Sequence, residues 1–293
     1  MVRRQAWTSG VILLAFLATL GASIPVVANA QRPSRIISLI PAVTEMLFAI
    51  GAGPQVIAVS SFDEYPPEVK KLERVGALLD PNLERILALK PDLVVVYGSQ
   101  EDLITQLTRA GIPMFDYRHA GLAGVTVTIQ SLGDRVGRSS EAAALVRQID
   151  ERMADIRRRV AGRPRPRTLL VFGREQGSLR GIFSSGGRGF LHDMLEAAGG
   201  QNVLADAARE SVQATSELIL ARQPEVILEV RAGPIDPGVA SKETAVWNAL
   251  PSLPAVRTHR VYIIVDPRIV VPGPRVAEGT EVLARALHPD AFK

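Results

Sequence analysis

One segment of this 293-residue chain is present twice. In residues 83–96, and again in residues 216–229, a short apolar-periodic helix with an acid in its first turn is stopped at a proline. A run of branched apolar residues follows. Glu84 pairs with Glu217, Ile86 with Ile219, Ala88 with Ala221, Pro91 with Pro224 and Asp92 with Glu225. Proline cannot continue a helix and drives the residue before it out of the helical region. An apolar run of that length, with no alternation, reads as a strand buried on both faces of a parallel sheet. The repeat therefore confines the chain to two similar α/β lobes, an arrangement that commonly holds a ligand between its halves.

The rest of the chain extends both copies. Residues 35–40 read as a strand, Pro41 opens a turn, and 44–50 form a helix closed by Gly51. A second strand over 56–60 leads into a loop from Phe62 to Pro67. A helix over 102–110 ends at Gly111, and 113–117 make another strand. Strands at 168–172, 226–230 and 261–265, with helices at 189–198 and 278–287, restart the scheme in the second half. Alternation at this spacing implies parallel sheets with right-handed crossovers.

One longer element interrupts the alternation. The apolar positions Ala144, Val146, Ile149, Met153, Ile156 and Val160 define a helix over 139–161. At about 1.5 Å per residue it spans about 34 Å, enough to bridge two lobes. The arginines between Arg157 and Arg167 mark its end, where the helix dipole favours cations. The expected organisation is a leader over 1–30, a first lobe over 31–138, the connecting helix over 139–161 and a second lobe over 162–293.

The leader is argued from Arg3 and Arg4, an apolar run over 11–20, and the small-x-small pattern Ala28-Asn29-Ala30. Together they predict a secretory signal cleaved near Ala30 and a periplasmic protein. The alternative is a retained membrane anchor, because 10–30 carry no charge. The sequence has no cysteine, which leaves neither a disulfide nor a thiol to carry a lipid. Removing Arg3 and Arg4 takes the formal charge from +4 to +2, too small a surplus to argue for nucleic acid.

Several chemistries lack their residues. His119, His192, His259 and His288 are scattered without metal-ligand spacing. Gly177-Ser178-Leu179-Arg180-Gly181 misses the nucleophile-elbow spacing, and Gly186-Gly187-Arg188-Gly189 lacks the ending of a phosphate loop and reads as a turn into a helix. The expectation is a binding protein with no catalytic residues, no resident metal and no cofactor of its own.

The ordered set Arg35-Ile36-Ile37-Ser38-Leu39, Thr44-Glu45, Asp63-Glu64-Tyr65-Pro66-Pro67, Asn82-Leu83-Glu84 and Leu89-Lys90-Pro91-Asp92-Leu93 resembles the periplasmic binding proteins for vitamin B12, iron-siderophores and haem that feed ABC importers. The resemblance covers essentially the whole chain after the leader. It implies two Rossmann-like lobes joined by one long rigid helix, a monomer, and cargo delivered to an ABC permease dimer. It also implies that one acid on each lobe, Glu84 and Glu217, pairs with arginines of that dimer. From the residues alone, both are equally ordinary first-turn acids favoured by the helix dipole.

Loops at the carboxyl ends of strands nominate the ligand site. These give Phe62, Tyr65, Tyr97 and Tyr117 (with Arg118 and His119) from the first lobe. The second lobe gives Arg174, Phe183, Arg231, Asp266 and Arg268. Against the vitamin B12-binding members, Phe62 and Tyr97 fall at stacking positions and Asp266 near a polar contact. Leu78 and the segment around Ser211 fall where aromatic residues would be expected. The cargo implied is a corrinoid, with a ferric siderophore or haem as the alternatives. An exported enzyme on the same frame is the alternative of another class.

Overall fold

The computed structural model describes residues 32–233 and 236–293. The expected leader, with Trp7, lies outside the described residues.

In chain order the first half contains β1 (Ile36–Ser38), α1 (Pro41–Ala49), β2 (Val56–Val59), β3 (Glu73–Arg74), α2 (Leu83–Ala88), β4 (Leu93–Tyr97), α3 (Glu101–Arg109), β5 (Met114–Tyr117) and α4 (Gly121–Val136). Then comes α5 (Ser139–Val160). The second half contains β6 (Arg167–Gly173), β7 (Ile182–Ser185), α6 (Phe190–Ala197), β8 (Gln201–Asn202), β9 (Ser211–Ala214), α7 (Ser216–Arg222), β10 (Val226–Arg231), α8 (Pro237–Ala245), α9 (Pro254–Arg257), β11 (Val261–Val265), α10 (Pro267–Val270) and α11 (Val276–Leu287). Among the described residues no helix is long and apolar enough to cross a membrane.

The first sheet has the order β3-β2-β1-β4-β5, and every pairing is parallel. The second has the order β11-β10-β6-β7-β9, with β8 beside β6. Here the expectation of wholly parallel sheets is corrected: β7 runs antiparallel to both β6 and β9. The link from Gly173 to Ile182 is too short for a crossover helix, so the chain turns straight back. The amide of Glu175 closes that turn on the Arg180 carbonyl at 3.0 Å.

The twin segments form the same unit in detail. Asn82 caps α2 by accepting the Arg85 amide at 2.9 Å, and Thr215 caps α7 by accepting the Leu218 amide at 3.2 Å. Lys90 and Gln223, each just before the proline, take left-handed φ angles of 47° and 46°. That reversal ends the helix and sends the chain into the buried strand. Asp92 accepts the amides of Ser34 and Arg35 at 2.8 Å, and Glu225 accepts the Arg167 amide at 2.8 Å. Arg35 and Arg167 each donate to carbonyls at the end of the unit's helix.

The helix α5 has 22 residues, about 33 Å at the usual rise. It is no free strut. Packed against α4 and α11, and touching α6, it joins a helical layer that shares one apolar core with the first sheet and one face of the second. Strand β10 shows the division. Val226, Leu228 and Val230 enter that common core, while Ile227 enters a second core under Trp247 and Leu253.

Candidate functional site

The carboxyl ends of both sheets open toward one cleft. A cavity of about 350 Å³ lies there, lined by His119 after β5, Phe172 on β6, Arg188 and Phe190 at the start of α6, Glu210 and Ser211 at β9, Ala232 after β10, and Val270 on α10. His119 brings the first lobe to it, the other lining residues belong to the second, and apolar wall is set beside Arg188, Glu210 and Ser211. That is the character of a small-molecule site.

His119 is fixed by two contacts. Its Nδ1 lies 3.3 Å from the Tyr117 hydroxyl, and its ring meets Phe190 edge-on at 5.2 Å. Tyr117 is buried and packs edge-on against Tyr97 at 5.7 Å. Burial, with Tyr97 and the Glu210 charge adding to it, pushes its phenol up to about 12. It stays protonated and holds His119 from beneath. Tyr117, expected among the ligand-binding residues, thus lies beneath the cleft surface rather than on it.

Along the same rim of the first lobe, the loop after β2 is built around Asp63. This fully buried acid accepts the Ser60 amide at 2.9 Å, while Arg74 donates to the carbonyls of Ser60 and Asp63 at 2.7 Å each. The loop so held leaves Phe62 71% exposed and Tyr65 44% exposed. Tyr97 ends β4 half-buried. Gln100 accepts the Tyr97 amide at 2.8 Å and donates to the Leu78 carbonyl at 2.7 Å, tying the Leu78 loop to the end of that strand.

In the second lobe the arginine expectations change most. The Arg174 side chain is 0% exposed. It donates to Glu229 at 2.9 Å and to the carbonyls of Glu175, Ser178 and Glu243, and it pairs with the Glu243 carboxylate at 2.7 Å. All three guanidinium nitrogens are engaged inside the lobe, so Arg174 is structural rather than a cleft ligand. The physical reason is local: Glu229 sits buried inside β10 and requires a cation. Arg231 is also drawn to Glu229, at 3.0 Å, and Trp247 places its indole N–H 3.4 Å from the same carboxylate. Trp247 is thus a core residue of the second lobe.

Asp266 caps α10 by accepting the Arg268 amide at 3.0 Å, and the Arg268 guanidinium covers both of its oxygens. Burial pushes its carboxyl up, but these bonds outweigh that and hold it below the usual range. Phe183 is 44% exposed on β7, with its ring 6.5 Å from Phe172. Arg188, Phe190, Glu210 and Val270 escaped the sequence reading. Phe172 closed a recognised strand, and Arg188 stood in a turn already assigned to the start of a helix.

The two lobes also meet directly. Asp193 on α6 accepts the Leu122 amide at the start of α4, at 2.8 Å. Gly121 stands at φ 48°, where a Cβ would fall 2.7 Å from that carboxylate. Glu45 on α1 takes both hydrogen bonds of Arg275, at 2.8 and 2.6 Å. Glu84 and Glu217 are exposed in the first turns of α2 and α7.

Comparison with known proteins agrees with this geometry. The chain is 34% identical over 269 residues to an uncharacterized ABC transporter substrate-binding lipoprotein of Bacillus subtilis, covering 90% of this chain and 82% of the relative. It is 33% identical over 241 residues to a vitamin B12-binding protein of Salmonella typhimurium, covering 81% and 86%. The solved periplasmic vitamin B12 binding protein BtuF of Vibrio cholerae superposes with a TM-score of 0.75 at 25% identity, over 89% of this chain and 99% of that one. Residues 36–267 match the periplasmic binding protein family, and the chain belongs to it.

Proposed function

We propose that this chain is the substrate-binding protein of an ABC importer, capturing a corrinoid in the interlobe cleft and handing it to a permease dimer through Glu84 and Glu217. The observation that carries the reading is the cavity between the lobes. Phe172, Phe190 and Val270 supply apolar wall, and its guanidinium, Arg188, is offset by the Glu210 carboxylate. A corrin ring edged with neutral amides suits such a lining. Haem with its propionates and the anionic ferric siderophores, which bring net negative charge, find less to meet them.

The protein works in the periplasm, as a monomer, after its leader is removed near Ala30. The Bacillus relative is named a lipoprotein, whereas the 293 residues of this sequence include no cysteine to carry a lipid. Cargo is bound and released unchanged.

Titrating purified protein with aquocobalamin, haemin and a ferric hydroxamate, read by visible absorbance, tests the cargo. One equivalent of aquocobalamin bound in preference to the others is the expected result, and preference for haemin would replace the corrinoid reading. Delivery is tested by Glu84→Arg with Glu217→Arg. Uptake into cells should be lost while affinity for cargo stays within about twofold, because exposed charges contribute little beyond their own pairing.

A further inference from the structure

The Glu45–Arg275 pair joins residues 230 positions apart, and Glu45 is nearly buried. A buried ion pair is a poor source of stability, since desolvation consumes most of its attraction. What it supplies is geometry. A guanidinium bonds a carboxylate along one edge while its flat face stays free to stack, which an ammonium cannot do. Arg275 uses both surfaces: its Nε and Nη2 hold the two oxygens of Glu45, and its Cζ lies 3.8 Å from the centroid of the Tyr65 ring. Tyr65 closes the loop built on Asp63, so three elements converge here: α1 and the β2 loop from the first lobe, and the segment entering α11 from the second.

The position in the fold adds weight. In the first sheet β2 and β5 lie on opposite sides of β1. The Asp193 contact to α4 follows β5, and the Arg275 contact follows β2. The lobes are thus tied at both margins of the junction, and the Arg275 tie includes the Tyr65 ring of the loop after β2.

We infer that Arg275 is a positioning residue of the cleft: it ties the lobes at the β2 margin and holds the Tyr65 ring in the pose in which it meets cargo. The second half of this statement rests on the cargo reading above; the first half does not.

Two measurements test the halves apart. The chain has no cysteine, so spin labels go only where cysteines are placed, at exposed Thr105 on α3 and Ala221 on α7. Electron–electron resonance then reads lobe spacing without cargo. One narrow distance is expected for the parent, and a distribution at least twice as broad for Glu45→Gln and for Arg275→Met. A distribution unchanged in both variants overturns the tie. Circular dichroism melts verify that each variant is folded.

The second measurement is a cycle of aquocobalamin affinities. Arg275→Lys keeps the charge but loses the flat face, and should weaken binding about tenfold. In a Tyr65→Leu background the same change should cost less than about twofold. A full tenfold loss in that background overturns positioning through Tyr65. If the parent binds no aquocobalamin, the cargo reading and the Tyr65 half fall together, and the spin-label result alone decides the tie.

Discussion

The two copies of the repeated unit agree at their ends and part company in the middle of the strand. Each helix is capped, each is stopped by a left-handed residue before proline, and each following acid grips the start of a neighbouring strand. Four residues past that acid, however, the first copy has Val96 and the second has Glu229, and each is 1% exposed. Val96 packs in the core with nothing further to satisfy. Glu229 gathers Arg174, Arg231, Trp247 and, through Arg174, Glu243 on α8. A single acid in a buried strand thus fixes the hairpin turn after β6 and the helix after β10. The first lobe instead leaves Phe62 and Tyr65 exposed in the loop after β2. The lesson is that duplication preserves the joints of a unit more faithfully than what it carries.

The largest expected effect breaks the second lobe at this point. Arg174→Met leaves Glu229 and Glu243 buried with Arg231 as their remaining cation, and should lower the urea-derived unfolding free energy by about 3–5 kcal/mol. Replacing Arg174, Glu229 and Glu243 together by apolar residues of similar size should recover most of that loss, since no charge is then stranded. A triple variant as unstable as the single one would mean that the network is needed for itself, not only for charge balance.

A smaller effect sharpens the comparison at the shared joint. Asp92 receives two amides and the Ser34 hydroxyl, whereas Glu225 receives the Arg167 amide. Hydrogen bonds to a charged acceptor are each worth a kcal/mol or more, reduced here by partial exposure. Asp92→Ala should cost about 2 kcal/mol and Glu225→Ala about 1 kcal/mol by the same denaturation. Equal losses would show that the extra bonds in the first copy contribute nothing.

How far the sequence carried this reading follows from the range of each interaction. The twin segments and the long helix α5 rest on local periodicity, and both were legible. The α4 helix was not. Its stretch Val125-Thr126-Val127-Thr128-Ile129 alternates with the period of a strand, and it is the burial of Val125, Ile129, Leu132 and Val136 on one face, packed on α5, that makes it helical. The site shows the same divide. That Arg174 follows a strand could be read; that its partner stands 69 positions away on α8 could not. Arg275 and Glu45 are more distant still, although Glu45 had already been singled out within the Thr44-Glu45 motif.

The smallest effect separates two acids of the first lobe, one in the copied unit and one at the lobe junction, by the sign of their response to pH. Burial pushes Asp92 up, but the amides of Ser34 and Arg35 more than offset it and hold the carboxyl below its ordinary 3.8. Its contribution to stability is therefore present above that value and lost as the pH falls through its folded-state pKa. Glu45 is the reverse. Burial, reinforced by the Asp63 and Glu278 charges, pushes it above its ordinary 4.5 despite Arg275. The folded chain then binds that proton more tightly than the unfolded chain, so acidification down to 4.5 relieves a cost that is present at neutral pH. Measured by urea unfolding from pH 7 to pH 3, the advantage of the parent over Asp92→Asn should shrink on acidification, while its advantage over Glu45→Gln should grow. Slopes of the same sign would mean that the Glu45–Arg275 pair, and not the burial around it, governs the proton at the junction.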